Sequence, residues 1–315
     1  MNKEDTLLSI LKEDSEVVNS KISLKNLEGS TVTITGASGL VGLNLISALN
    51  SYNETIKKRI SIIAVTHNKS EGVTNKLFNN EGIEEISCDL SSISSIDKIP
   101  LSDYIIHSAG YGQPGKFLED KLKTLSINTL GTMELLKRLK PNGSFLFLSS
   151  SEVYSGHSNT LNSEEDIGTT SPSHPRACYI EGKRSGEAII NIARENGIQA
   201  SSARLALAYG PGIKPDDARV LNQLINKGIK GKIDLLDDGS ANRTYGYVSD
   251  VVVILLNILI SSTHSSYNVG GKSALSIKEL AIKIGDKMNA PVSIPITKLF
   301  MGDAPKTVGL NLSRI

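Results

Sequence analysis

Cysteine occurs twice in the 315 residues, at Cys88 and Cys178, and neither stands in a metal-ligand spacing. Five histidines are scattered, with no H-x-x-x-H and no C-x-x-C among them. A zinc ribbon, a thiol redox motif and a disulfide framework are therefore excluded, no metal site is expected, and the two thiols read as reduced in a cytoplasmic protein. Charge of one sign is also lacking. The formal net charge is +1, which leaves no electrostatic footprint for nucleic acid, so any anion site must be local. Long apolar runs are missing too: "VVVILLNILI" at 251–260 is too short to span a bilayer, so no membrane partner is expected. The opening "MNKEDTLLSILKEDSEVV" carries acids on both sides of a short apolar patch, which is wrong for a signal peptide. It predicts a short amphipathic helix with Leu7, Leu8, Ile10 and Leu11 on one side.

What is present is ordinary in amount and ordered in pattern. Apolar residues make up 39% and charged residues 21%, as in a globular chain long enough for a large core. Short β-branched runs at 31–35, 59–67, 84–90, 102–110, 144–154 and 199–211 alternate with segments of helical period, notably 124–140 and 178–196. That alternation predicts an α/β fold with a doubly wound parallel sheet. After residue 211 the pattern breaks into shorter pieces, as expected of a smaller substrate lobe. The expected organisation is an N-terminal helical extension over 1–28, a dinucleotide-binding unit over 29–211, and a mainly substrate-binding lobe over 212–315 that partly returns to the first unit. The closing "VGLNLSRI" reads as an element cut short, with a final helix expected beyond it.

Gly36, Gly39 and Gly42 form G-x-x-G-x-x-G between the first strand and a helix. The first glycine permits a tight turn, the second lets a diphosphate approach the backbone, and the third lets helix pack on strand. The helix N-terminus then offers N–H groups to phosphates. Ser38, Leu40 and Val41 fill the same loop. A dinucleotide site commonly has an acid after the second strand; here Thr66, His67, Asn68 and Lys69 stand there. Lys69 and His67 suit a 2′-phosphate, so NADP is an alternative to NAD, although Lys69 reads equally well as a solvated loop charge. Asp89 and Leu90 after the third strand suit an adenine contact, or a turn. Ser108, Ala109 and Gly110 place small residues where a cofactor would pass.

"PRACYIEGKR" at 175–184 sets Tyr179 and Lys183 four residues apart, on one helix face. A neighbouring ammonium favours a phenolate, so the pair can take a proton from an alcohol near neutral pH. Ser150, at the end of the fifth strand, can hold the same oxygen. An ordinary amphipathic helix is the competing reading of the pair.

The ordered set of glycine loop, "INTLGT" (127–132), "SSSEVY" (149–154), Tyr179 with Lys183, "YGP" (209–211) and "NRTYGYVSD" (242–250) resembles the extended short-chain dehydrogenases/reductases. That family includes sugar-nucleotide epimerases, dehydratases and decarboxylases. "SSEVY", "PRACYIEGKR" and "DDARV" (216–220) are most similar to UDP-glucuronate decarboxylases. The resemblance implies a retained NAD, a nucleotide-sugar substrate and a homodimer. It implies Tyr179 as general base, Lys183 as its partner and ribose contact, Ser150 at O4 and Glu152 beside C5. It further implies substrate contacts from Ser151, Arg176, Arg219 and Arg243, with Asn128 ordering the site. The chain departs from the family at Leu207, Gly212 and Ser155. Ser151 stands where a 4,6-dehydratase is expected to carry Asp. A 4-epimerase remains an alternative, and a non-catalytic dinucleotide-binding protein a more distant one.

Overall fold

A computed structural model describes residues 2–272, 274–296 and 309–315, so 297–308 of the expected smaller lobe lie outside the described residues. The chain opens with helix α1 (Lys3–Lys21), capped by the Asn2 side chain accepting from the Asp5 N–H, with Glu4 and Asp5 in its first turn and Lys21 in its last. Those charges suit the helix dipole. Leu11 and Val18 are buried, whereas Ile10, placed by the sequence on the apolar side, is exposed.

Alternation then begins. Strands β1 (Thr31–Thr35), β2 (Ser61–Thr66), β3 (Ile83–Ser87) and β4 (Ser102–His107) are separated by α2 (Leu40–Asn53), α3 (Gly72–Phe78) and α4 (Ile93–Ile96). Helices α5 (Pro114–Glu119), α6 (Lys121–Asn128) and α7 (Leu130–Leu136) lead to β5 (Leu139–Ser150). A 3-10 turn at Ser151–Tyr154 and short β6 (Leu161–Asn162) precede α8 (Ala177–Glu195) and β7 (Gln199–Leu205). The second half adds β8 (Leu207–Tyr209), α9 (Val220–Ile229), β9 (Ile233–Asp234), β10 (Asn242–Tyr247) and α10 (Val248–Ser261). It ends with β11 (Ser266–Val269), β12 (Ala274–Ser276), α11 (Ile277–Met288), β13 (Val292–Ser293) and β14 (Gly309–Leu310).

Seven strands form one sheet in the order β11-β7-β5-β4-β1-β2-β3, with parallel pairing throughout. Strand order reverses beside β1, and in such sheets ligands sit at the carboxyl ends of the strands at that point. One core layer joins α1, α2 and α10 to the sheet through Leu45, Leu49, Val252 and Leu256. A second, with Phe145, Phe147 and Ile190, covers the other face. A separate cluster with Leu224, Ile233 and Leu280 holds the smaller elements of the second half.

Three segments differ from the sequence pattern. The helix expected over 124–140 is two helices with a break at Thr129, and β5 starts at Leu139, ahead of Pro141 and Gly143. The strand expected over 144–154 ends at Ser150 and tightens into the 3-10 turn. The sixth strand, expected over 199–211, divides at Ala206: β7 stays in the large sheet, and β8 pairs with β10 in a three-stranded sheet with β12.

Candidate active site

The glycine loop follows β1. Gly36 has φ +67°, and a Cβ there would stand 2.8 Å from the Ala109 backbone. A Cβ on Gly42 would stand 2.4 Å from the Gly36 carbonyl oxygen, so only glycine lets α2 come this close to its own loop. Gly39 is the N-cap of α2 and no side chain caps the helix, which leaves its N–H groups facing the loop.

These elements wall a cavity of about 400 Å³. It is lined by Gly36 and residues 38–42, by Asp89 and Leu90 after β3, by 108–110 after β4, and by Tyr179 and Lys183 of α8. His67 lines it too; Lys69 is exposed and outside it. Glu85 fastens the loop after β2, accepting from Thr66 Oγ1 at 3.0 Å, the Ser70 N–H at 2.7 Å and Ser70 Oγ at 2.9 Å. Burial alone would raise the Asp89 carboxyl, but bonds from Lys123 (2.9 Å) and Ser91 override it and hold it well below the usual carboxylate range. An uncapped helix N-terminus over a loop that Gly36, Gly39 and Gly42 keep close to the backbone, at the switch point, fits a dinucleotide.

Helix α8 brings Tyr179 and Lys183 to this cavity. Tyr179, Lys183 and Glu187 recur every fourth residue on its buried face. Gly186 allows the close approach to β5, since a Cβ there would meet the Phe147 ring at 2.4 Å. Tyr179 stacks on Phe117 with ring centroids 4.7 Å apart and planes 9° apart. Burial raises the Tyr179 pKa above its ordinary 10.0; a hydrogen bond with Ser150 opposes this, Glu152 adds to it, and Arg176 and Arg219 oppose it. The expected lowering by Lys183 is not what the structure has. Lys183 Nζ donates to the Leu148 carbonyl at 2.7 Å and lies 5.8 Å from the Tyr179 ring centroid. Burial brings its own pKa down to about 7, with Glu187 acting in the other direction.

A second cavity of about 290 Å³ shares Gly112, Ala206, Ala208, Ile213, Asp217 and Arg219 with the first, so the two adjoin. Ser149 lines the first and Ser151 the second, with Ser150 between them. Glu152, Arg176, Arg243 and Tyr245 also line the second. Arg176 Nη2 donates to Glu152 Oε1 at 2.6 Å. Arg219 is tied to Asp217 by contacts of 2.6–3.0 Å. Arg243 Nη1 donates to the Asn242 carbonyl at 2.7 Å, and its charge interacts with Tyr245, Glu152 and Arg176. Asn128 is fully buried beside Gly110 and Lys183, and its Oδ1 has no hydrogen-bond partner among the described residues.

Several participants carry no sequence signal. Phe117 reaches Tyr179 from another helix, and the Tyr245 hydroxyl is set by the pairing of β10 with β8. His107 bridges Thr35 Oγ1 (2.8 Å) and the Ile127 carbonyl (3.1 Å), and burial brings its pKa down to about 3. It is therefore a neutral brace between strand ends.

The model of the NAD dependent epimerase/dehydratase family matches residues 32–270. UDP-glucuronic acid decarboxylase 1 of Xenopus tropicalis is 29% identical over 270 residues, 82% of this chain and 60% of that protein. UDP-glucuronic acid decarboxylase 5 of Arabidopsis thaliana is 27% identical over 287 residues, 90% of this chain and 81% of that protein. The chain thus spans about three fifths of the length of the first of these relatives. Among solved structures, a UDP-glucose 4-epimerase of Thermotoga maritima with UDP-glucose superposes with a TM-score of 0.75 at 21% identity, covering 90% of each chain. A UDP-glucuronic acid 4-epimerase of Bacillus cereus with UDP-glucuronic acid and NAD gives 0.71 at 22% identity, again covering 90% of each chain. At these identities the superpositions speak to the fold.

Proposed function

The chain belongs to the NAD dependent epimerase/dehydratase family, and from that premise we propose that it modifies a nucleotide sugar with bound NAD and decarboxylates a UDP-hexuronate. NAD, when bound, supplies a reversible hydride acceptor for a sugar carbon. The first cavity is its place, with the α2 N-terminus toward the diphosphate and Tyr179 and Lys183 at the reacting end.

The observation that carries the decarboxylase reading is Glu152. It lies in the second cavity, close enough for its charge to act on Tyr179, and its Oε2 is buried without a partner among the described residues. Ser150 and Tyr179 hold the oxygen at C4. Tyr179 takes the C4 hydroxyl proton as the phenolate, a form that burial opposes and that Ser150, Arg176 and Arg219 favour, and the phenol so formed returns the proton when C4 is reduced again. A ketone at C4 is β to the C5 carboxylate. When the bond from C5 to the carboxylate breaks, its electron pair passes toward the C4 oxygen and CO2 leaves. The enolate then takes a proton at C5 from a water held by Glu152. The similarity to two UDP-glucuronic acid decarboxylases supports the same reading.

Incubation with UDP-glucuronate and NAD, read by mass spectrometry, tests the proposal. The expected product is UDP-xylose or its 4-keto form. A uronate returned with only C4 inverted would make the protein a 4-epimerase. Water loss from a neutral hexose nucleotide would make it a dehydratase.

A further inference from the structure

The Glu152–Arg176 bridge is half made. Nη2 meets Oε1, but Arg176 Nε and Glu152 Oε2, the atoms that would complete a two-legged fork, are both buried without a partner among the described residues. Buried polar atoms are normally paired, and each exception calls for a physical explanation. The guanidinium is not free to wander: it sits 5.5 Å over the Phe117 ring, which stacks on Tyr179. Arg176 is therefore held in register with the proposed base. A third unpaired atom is the buried hydroxyl of Tyr245, a residue that lines the same cavity and is 7% exposed. Arg219, by contrast, is already paired through three contacts with Asp217.

We infer that the open side of the Glu152–Arg176 bridge, with the Tyr245 hydroxyl, is a carboxylate-reading subsite, and that Arg176 is the residue that separates a hexuronate from a neutral hexose. The inference rests on the hexuronate reading above. Two donors, Arg176 Nε–H and Tyr245 O–H, match the two oxygens of a carboxylate. The bridge to Arg176 offsets the charge of Glu152, which would otherwise repel a second carboxylate. A hydroxymethyl group brings no charge to Arg176 and leaves a buried donor unmet, so it binds more weakly.

The test is a calorimetric titration of the NAD-loaded Tyr179→Phe protein, which keeps the stacked ring but not the proposed base. UDP-glucuronate and UDP-glucose are compared, alone and with Arg176→Gln or Arg176→Lys added. The parent should prefer the uronate by roughly 10- to 100-fold, the range of one hydrogen bond to a charged group. Arg176→Gln should remove most of that preference and leave UDP-glucose nearly unchanged. Arg176→Lys keeps the charge but not the Nε–H geometry, so it should remove part, and it gives the answer if the glutamine variant does not fold. A preference that survives both substitutions, or an equal loss for both ligands, overturns the inference. If the native enzyme releases CO2 while that happens, the inference alone fails. If it releases none and the parent shows no preference, the hexuronate reading fails as well.

Discussion

Tyr179 and Lys183 are neighbours with different electrostatic settings, and each makes its own prediction. Replacing Tyr179 by Phe keeps the ring that stacks on Phe117, so the fold should persist while the hydroxyl that meets Ser150 is gone. Turnover should fall by at least the ~10²–10⁴ that general-base catalysis contributes. Unchanged kcat with an unchanged circular dichroism spectrum would make the pair structural. Lys183 concerns stability. Its folded pKa is depressed from 10.5 to about 7, so between those values the unfolded chain holds a proton that the folded one lacks. Stability then rises with pH through that window, by up to ~1.4 kcal/mol per unit, and the full cost of burying the charge is present below it. Lys183→Met should therefore raise Tm more at pH about 6.5 than at about 9.5, in protein freed of nicotinamide. A gain that is the same at both, or larger at the higher pH, would show that the lysine is not held neutral. The spacing of Tyr179 and Lys183 was legible in the sequence because it is local. Glu187, which acts on Lys183, and Phe117, which fixes Tyr179, were not singled out, because nothing local distinguishes them from core and surface residues.

The elements legible in sequence were those whose signal lies within one segment. β1, the glycine loop and α2 follow from β-branched residues, three glycines and a lengthened apolar period. The division of 199–211 did not, because what separates β7 from β8 is the partner each finds: β5 and β11 for one, β10 for the other. Likewise β5 takes in Pro141 and Gly143 through a shift of register against β4, between Ser102 and Tyr104. The glycine loop is the element with the sharpest consequence. A methyl group on Gly42 would meet the Gly36 carbonyl at 2.4 Å and the Ala37 Cα at 2.8 Å, both backbone atoms that cannot swing away. Gly42→Ala should displace α2 from the loop and cost ~1–3 kcal/mol, as overpacking does. It should also weaken NAD binding, since it would move the α2 N–H groups proposed to meet the diphosphate. Thermal unfolding with and without NAD reads both effects. A variant with native Tm and a native NAD-induced shift would mean that the loop accommodates the methyl and that close packing there is not needed.

At the scale of the whole molecule, one buried polar network ties the carboxyl edge of the sheet to distant chain. Arg204 on β7 grips Glu187 of α8 through contacts of 2.8–3.2 Å, and its Nη1 donates to the Tyr154 hydroxyl and to the carbonyls of Glu164 and Asp166. Glu187 also accepts from Ser149 Oγ at 2.5 Å, and Tyr154 donates to Asn268 of β11 at 2.6 Å. Chain as far apart in sequence as Ser149 and Asn268 is thus joined through the Arg204 guanidinium and its partners Glu187 and Tyr154. The Arg204 and Glu187 side chains are only 7% and 10% exposed, so water cannot replace either partner cheaply. Removing one should leave the other charge buried and unpaired, which costs ~3–5 kcal/mol. Arg204→Met is expected to lower the urea midpoint by that amount of stability. Arg204→Met combined with Glu187→Leu should recover part of the loss, because an apolar pair can replace a buried ion pair at little net cost. A single variant within ~1 kcal/mol of the parent would mean that the network opens to solvent. A double variant as unstable as the sum of two single losses would mean that Arg204 and Glu187 act separately, Glu187 through Ser149 and Lys183, and Arg204 through Tyr154 and the 164–166 carbonyls.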